Sequence, residues 1–123
     1  GDVYMNFEEN QPIYQQIIFF IKIKLIIGEW KLNEKIPSVR DFAIKLNVNP
    51  NTVQRAYAEL EREELIYSKR GMGSYVTTDG AKVAELSKIV AEKKVKQFIK
   101  EMRDMGFIID EIIKLILKIE EEN

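Results

Sequence analysis

The stretch IPSVRDFAIKLNVNPNTVQRAYAELEREELIYSKRGMGSYV, residues 36–76, decides the fold. Ser38 followed by Asp41 is a capping box, with the Ser38 hydroxyl meeting the third backbone N–H and Asp41 reaching back. The helix it opens turns Val39, Phe42, Ala43 and Leu46 inward, and Asn47 suits a left-handed residue at its end. Asn49 then caps a second helix whose first position is Pro50. That helix runs through Thr52, Val53, Ala56, Tyr57 and Leu60 and ends near Glu64. Two helices separated by so short a turn, with Val48 filling the corner, have helix-turn-helix spacing. Leu65–Ser68 and Ser74–Thr77 are short β-prone runs around the tip KRGMG, whose two glycines permit positive φ. The expected class is mainly α with a small β-wing: a winged helix-turn-helix followed by two C-terminal helices.

Outward from this core, Pro12 starts a helix to Ile27. Its Tyr14, Ile17, Ile18, Ile21 and Leu25 make one apolar stripe, and Phe19, Phe20, Ile23 and Ile27 cover much of the other side. A helix apolar nearly all round needs cover from two directions. Gly28 stops it. After Thr78 a long helical pattern begins at Asp79 or Gly80 and continues to about Met105. Gly106 is a helix stop, and a last helix, roughly Ile109 to Glu120, is dense in isoleucine and leucine. These patterns give a winged helix-turn-helix domain over 1–78 and a helical arm over 79–123.

Composition narrows the chemistry. The chain has 123 residues, 46% hydrophobic, with neither cysteine nor histidine. Disulfides and thiolate metal sites are excluded, and the commonest acid–base catalyst is missing. No nucleophile–base pair or phosphate loop is present, so an enzyme has no foothold, and no metal or cofactor is expected. The apolar run Ile17–Ile27 is interrupted by Lys22 and Lys24 and is too short to span a bilayer. With a short, polar, acidic N-terminus, this leads to the expectation of a cytoplasmic protein with no membrane partner. The net charge of −1 excludes a generally basic coat for nucleic acid but permits a local cationic patch.

The motifs PSVRDFA (Pro37–Ala43), VNPNTVQRAYAELE (Val48–Glu61) and GMGSYV (Gly71–Val76) resemble the GntR family of bacterial transcription regulators. PIYQQI (Pro12–Ile17) fits the first helix of that family. Most members carry a large effector-binding or aminotransferase-like domain after the wing. Two helices in its place are similar to the YtrA subfamily, in which they form a dimerisation arm. The resemblance implies a homodimeric regulator, most often a repressor, acting on a palindromic DNA operator near an operon such as one encoding an ABC transporter. Any small-molecule effector would bind between winged helix and arm or at the dimer interface. Pro50 and Gln54 stand where some relatives carry arginines, so those relatives' base contacts do not transfer. Glu34 replaces a usual turn glycine, and Ile108 stands where an N-cap serine is common.

The candidate DNA contacts follow from this frame. Arg40, in the first turn of its helix, is expected on phosphate or guanine edges, or else in a surface pair with Asp41 or Glu29. Asn49, Asn51, Thr52, Gln54 and Arg55 cluster at the start of the second helix, the end that such modules present to bases. Capping alone would also explain Asn49. Tyr57 is either core with a polar tip or a phosphate contact. Lys69, Arg70, Gly71 and Gly73 form a wing tip suited to phosphates or the minor groove, or a plain solvated hairpin. In the arm, Phe98, Met102, Ile112, Ile113, Ile116 and Ile119 are candidates for a dimer interface, because so large an apolar stripe exceeds what two projecting helices bury alone. Packing back on the first helix is the other use for it. A competing function is a winged helix that docks on a partner protein. Steep weakening with salt would distinguish DNA binding from that.

Overall fold

The computed structural model describes residues 5 and 7–123. Residues 1–4 and 6, part of the domain expected over 1–78, lie outside the described residues. In order, the elements are α1 (Ile13–Ile26), α2 (Val39–Leu46), α3 (Pro50–Arg62), β1 (Ile66–Lys69), β2 (Gly73–Val76), α4 (Gly80–Asp104) and α5 (Ile109–Glu121). The chain divides into two compact units, one ending at Leu86 and the other Ser87–Asn123, with the division inside α4. Among the described residues no helix is long and apolar enough to cross a membrane.

Local chemistry accounts for the helix-turn-helix boundaries. The Ser38 Oγ accepts from the Asp41 N–H at 3.0 Å. Asp41 makes no return hydrogen bond to Ser38, so only half of the expected box forms. Its carboxylate is one methylene shorter than the glutamate that normally completes the box. Asn47 takes the left-handed conformation with φ 55°. Its N–H donates to the Ile44 carbonyl and the Val48 N–H to the Ala43 carbonyl, a Schellman turn that ends α2. The Asn49 Oδ1 accepts from the Asn51 N–H at 2.8 Å, and Pro50 occupies the first position of α3. Glu64 at the end of α3 is also left-handed, φ 62°, a conformation that costs a glutamate more than a glycine.

The core of the first unit sits where α1, α2 and α3 meet. Ile17, Ile21, Phe42, Val53, Ala56 and Leu60 are wholly buried there. The Phe42 ring is surrounded by Trp30, Tyr57 and Phe20, at centroid distances of 5.7, 6.2 and 6.4 Å. Buried Gln16 straps down the segment before α1: its amide accepts from the Glu8 N–H and donates to the Glu8 and Gln11 carbonyls. On the other side of α1, Phe19 and Ile27 remain exposed.

Tyr57 is core with a polar tip. It is 3% exposed, and its hydroxyl donates to the Pro37 carbonyl at 2.7 Å, fastening α3 to the entry of α2. Burial pushes this hydroxyl well above the ordinary tyrosine value of 10.0. A proton held more tightly by the folded than by the unfolded chain stabilises folding below the unfolded value, and that contribution is lost as pH rises beyond it. Stability in denaturant is therefore expected to fall as pH climbs above 10.0. Tyr57→Phe should flatten that alkaline fall while costing about 0.5–1.5 kcal/mol at neutral pH for the lost hydrogen bond. Parallel alkaline slopes for the two proteins would exclude Tyr57 as the cause.

The wing pairs β1 and β2 antiparallel, with Ile66 opposite Val76, Tyr67 opposite Tyr75 and Lys69 opposite Gly73. A third short segment joins it. The Ile36 N–H donates to Ser74, the Val76 N–H donates to Glu34, and Lys35 bridges Tyr75. The loop before it turns at Asn33, φ 63°, and the Glu34 carboxylate accepts from the Lys31 N–H at 2.6 Å. Glu34 thus closes the turn with its side chain, while Asn33 supplies the positive φ.

In the second unit, α4 ends in another Schellman turn: the Phe107 N–H donates to Met102 and the Gly106 N–H to Arg103, with Gly106 at φ 91°. Ile108 has no side-chain acceptor to cap α5. Instead the Glu111 carboxylate accepts from the Ile108 N–H at 3.1 Å. Of the apolar arm residues, Met102 and Ile112 are buried within the chain itself, at 8% and 1% exposure. The turn between α4 and α5 is short, so their adjoining ends are neighbours and one apolar position from each is covered. Phe98, Ile113, Ile116 and Ile119 remain 40–50% exposed.

Candidate nucleic-acid interface

One side of α3 builds the core and the other faces solvent. Val53, Ala56, Tyr57 and Leu60 point inward, whereas Asn51, Gln54, Arg55 and Ala58 form an exposed ridge, with Thr52 half-buried beside them. The 3.6-residue period alone produces this division. Asn49 is exposed and spends its Oδ1 on the cap. The first turn of α3 carries no acidic residue, and its N-terminal amides add partial positive charge.

Acidic groups collect instead at the far end of the helix, where most are paired. Glu63 meets Lys22 at 3.1 Å, Glu59 binds Arg62, and Glu64 binds Lys82. Hydrogen bonds from Arg62 and Lys82 hold the Glu59 and Glu64 carboxyls below the ordinary glutamate value. Arg62 is thereby occupied, and Arg55 is the exposed cation of the ridge.

Arg40 lies exposed in the first turn of α2 and forms no ion pair with Asp41 or Glu29. Glu29 pairs with Lys24 at 2.6 Å instead. The Tyr57–Pro37 hydrogen bond fastens the chain just before Arg40 to the middle of α3. Arg55 does not extend freely: its guanidinium lies over the Tyr14 ring, 3.7 Å from the centroid.

At the wing, Arg70, Gly71 and Met72 form an exposed tip, closed by the Met72 N–H donating to the Lys69 carbonyl. Gly71 has φ 76°, as the third residue of a type II turn requires. The Lys69 ammonium sits 4.3 Å from the Tyr75 ring centroid, and that ring stacks on Tyr67 at 5.7 Å. The Tyr67 hydroxyl in turn binds the Asn33 side chain. Lys35 crosses over Gly73, where a Cβ would come within 3.1 Å of its Cε. This positive φ, 105°, and the close crossing together call for glycine.

Sequence reading overlooked Lys35, the Tyr67–Tyr75 pair, Ala58 and the role of Tyr14. The hairpin register could have paired Tyr67 with Tyr75, because the turn at Gly71 sets it. No local signal announces the Lys35 segment, which is too short to show alternation. The amide-rich helix start, the guanidinium groups without an ion pair and the basic wing are each suited to a polyanion whose grooves admit a helix.

Residues 13–76 match the family model described as bacterial regulatory proteins, gntR family. The chain belongs to the GntR family. GntR proteins are transcriptional regulators, not enzymes. The HTH-type transcriptional repressor YtrA of Bacillus subtilis is 36% identical over 109 residues, covering 88% of this chain and 84% of YtrA. A solved GntR family transcriptional regulator from Listeria monocytogenes is 41% identical with a TM-score of 0.87, covering 91% of this chain and 98% of that one. The crystal structure of the AraR DBD in complex with operator ORR3 is 25% identical with a TM-score of 0.53, covering 63% of this chain and 93% of that one.

Proposed function

We propose that this regulator is a repressor that binds a palindromic operator beside its own gene as a homodimer. The observation that carries the reading is the outward ridge of α3, with Asn51, Gln54 and Arg55 exposed over an anchored core face. In this reading Asn51, Thr52 and Gln54 meet base edges in the major groove, and the amides behind the Asn49 cap assist at phosphate. Arg40 and the wing residues Lys69, Arg70, Gly71 and Gly73 hold the phosphates on either side and set the register. The DNA-binding domain is residues 1–78, and residues 79–123 act as the dimerisation arm through Phe98, Ile113, Ile116 and Ile119. Met102 and Ile112 support that face from within. Two copies related by a two-fold axis would present two α3 helices to two half-sites. YtrA, a repressor alike over nearly the whole length, and the operator-bound AraR DBD support the reading.

Footprinting on the DNA upstream of the gene, followed by titration with Arg40→Ala, tests it. Losing one guanidinium contact is expected to weaken operator binding by about 1–3 kcal/mol with thermal stability unchanged. Wild-type affinity should also fall steeply with ionic strength, as counterion release requires. Salt-independent binding, or none at all, would sink the proposal. Unchanged affinity in Arg40→Ala would remove that residue from the contact surface.

A further inference from the structure

Arg55 carries five N–H donors, and among the described residues neither a carboxylate nor a carbonyl accepts from any of them. Arg62, on the same helix, is engaged by Glu59. An exposed arginine left without a partner ordinarily samples many rotamers. Here the guanidinium instead sits over the Tyr14 ring, 3.7 Å from its centroid. Tyr14 sits in the first turn of α1, half-buried, with its hydroxyl receiving the Gln15 amide at 3.2 Å. The ring contact engages none of the five N–H donors with a protein acceptor, so they stay open to an acceptor outside the protein.

The direction of the side chain selects among acceptors. Arg55 reaches off α3 onto Tyr14 of the neighbouring helix α1. A helix seated in a major groove has base edges ahead of it and sugar-phosphate backbone at its flanks. We propose that Tyr14 is a positioning residue that seats Arg55 against a DNA phosphate at the groove rim, so that α1 takes part in operator binding through an aromatic platform. This rests on the DNA-binding reading above. It makes Arg55 a register-setting contact with little role in discriminating bases, since bidentate guanidinium–phosphate pairing carries no sequence information.

The test uses the full-length protein and the footprinted operator, with binding measured across a salt series. Arg55→Ala is expected to weaken binding about tenfold, equally on the operator and on its single-base variants. The slope of log affinity against log salt should drop by about 0.9, the value for one phosphate contact. Tyr14→Leu, which removes the platform, should weaken binding about three- to tenfold, and Tyr14→Phe, which keeps the ring, should bind as wild type. The double variant Tyr14→Leu/Arg55→Ala should be no weaker than Arg55→Ala alone. Arg55→Lys keeps the charge at an exposed site where folding is not at stake, and it should lose affinity while retaining most of the salt slope. Wild-type affinity in Tyr14→Leu or Arg55→Lys, additive losses in the double variant, or a relaxed preference at one base pair in Arg55→Ala would each overturn the proposal. If wild-type protein shows no salt-dependent operator binding, the DNA reading itself fails. If it does while Tyr14→Leu matches it, only the role of Tyr14 is lost.

Discussion

Phe42→Ala should remove about 3–5 kcal/mol of folding stability, a large share of the total for a domain of this size. The Phe42 side chain is wholly buried at the junction of α1, α2 and α3, touching rings from three different segments. Truncating a buried phenylalanine costs about 3–5 kcal/mol, from lost transfer energy and from the cavity left when neighbours cannot close in. A domain of this size has about 5–15 kcal/mol in total. Here the neighbours are themselves large rings, Phe20 on α1, Tyr57 on α3 and Trp30 in the loop after α1, which restricts collapse. Trp30 is the sole tryptophan and lies 5.7 Å from Phe42, so its fluorescence in a urea titration reports on this site directly. A midpoint shift equivalent to less than about 1 kcal/mol, far below the range for such truncations, would mean that the ring is not central to the core.

Ile116→Asp is expected to leave a folded but monomeric protein whose operator affinity falls by about 10²–10⁴, the usual gain from linking two binding modules. Ile116 is 48% exposed, so a carboxylate there can stay hydrated in the single chain. In a dimer it would have to enter an apolar contact together with Phe98, Ile113 and Ile119, which is unfavourable without a partner charge. Ile112, at 1% exposure, would be a poor probe, because the same change would disturb α5 before any partner was involved. Sedimentation equilibrium together with circular dichroism separates the outcomes. A soluble dimer of Ile116→Asp would place the interface elsewhere.

Most of the fold was legible because its signals act within a few residues. Ser38, Asn47 and the Asn49–Pro50 pair each satisfy or block backbone groups in their own turn, and all three bounded the helices as their chemistry demands. The stripe Ile17, Ile21 and Leu25 showed which side of α1 is buried, and Gly106 marked the break between α4 and α5. One local reading needed adjustment: Asp41 proved too short to complete its box. At α5, where Ile108 offers no cap, the Glu111 carboxylate takes the Ile108 N–H instead.

The candidate surface was only half legible. Which α3 residues face outward follows from helical periodicity, so Asn51, Gln54 and Arg55 could be named in advance. Where their side chains go could not. Arg55 resting on Tyr14, Lys69 on Tyr75, Lys35 across Gly73 and the Tyr57 hydroxyl on Pro37 all join segments distant in sequence. The amino-acid order by itself determined the helices, their caps, the wing and the family, since propensity, capping and period depend on near neighbours. Only the tertiary structure decided which cations are held on aromatic seats and which arm residues remain uncovered, because those outcomes depend on the packing of whole elements against one another.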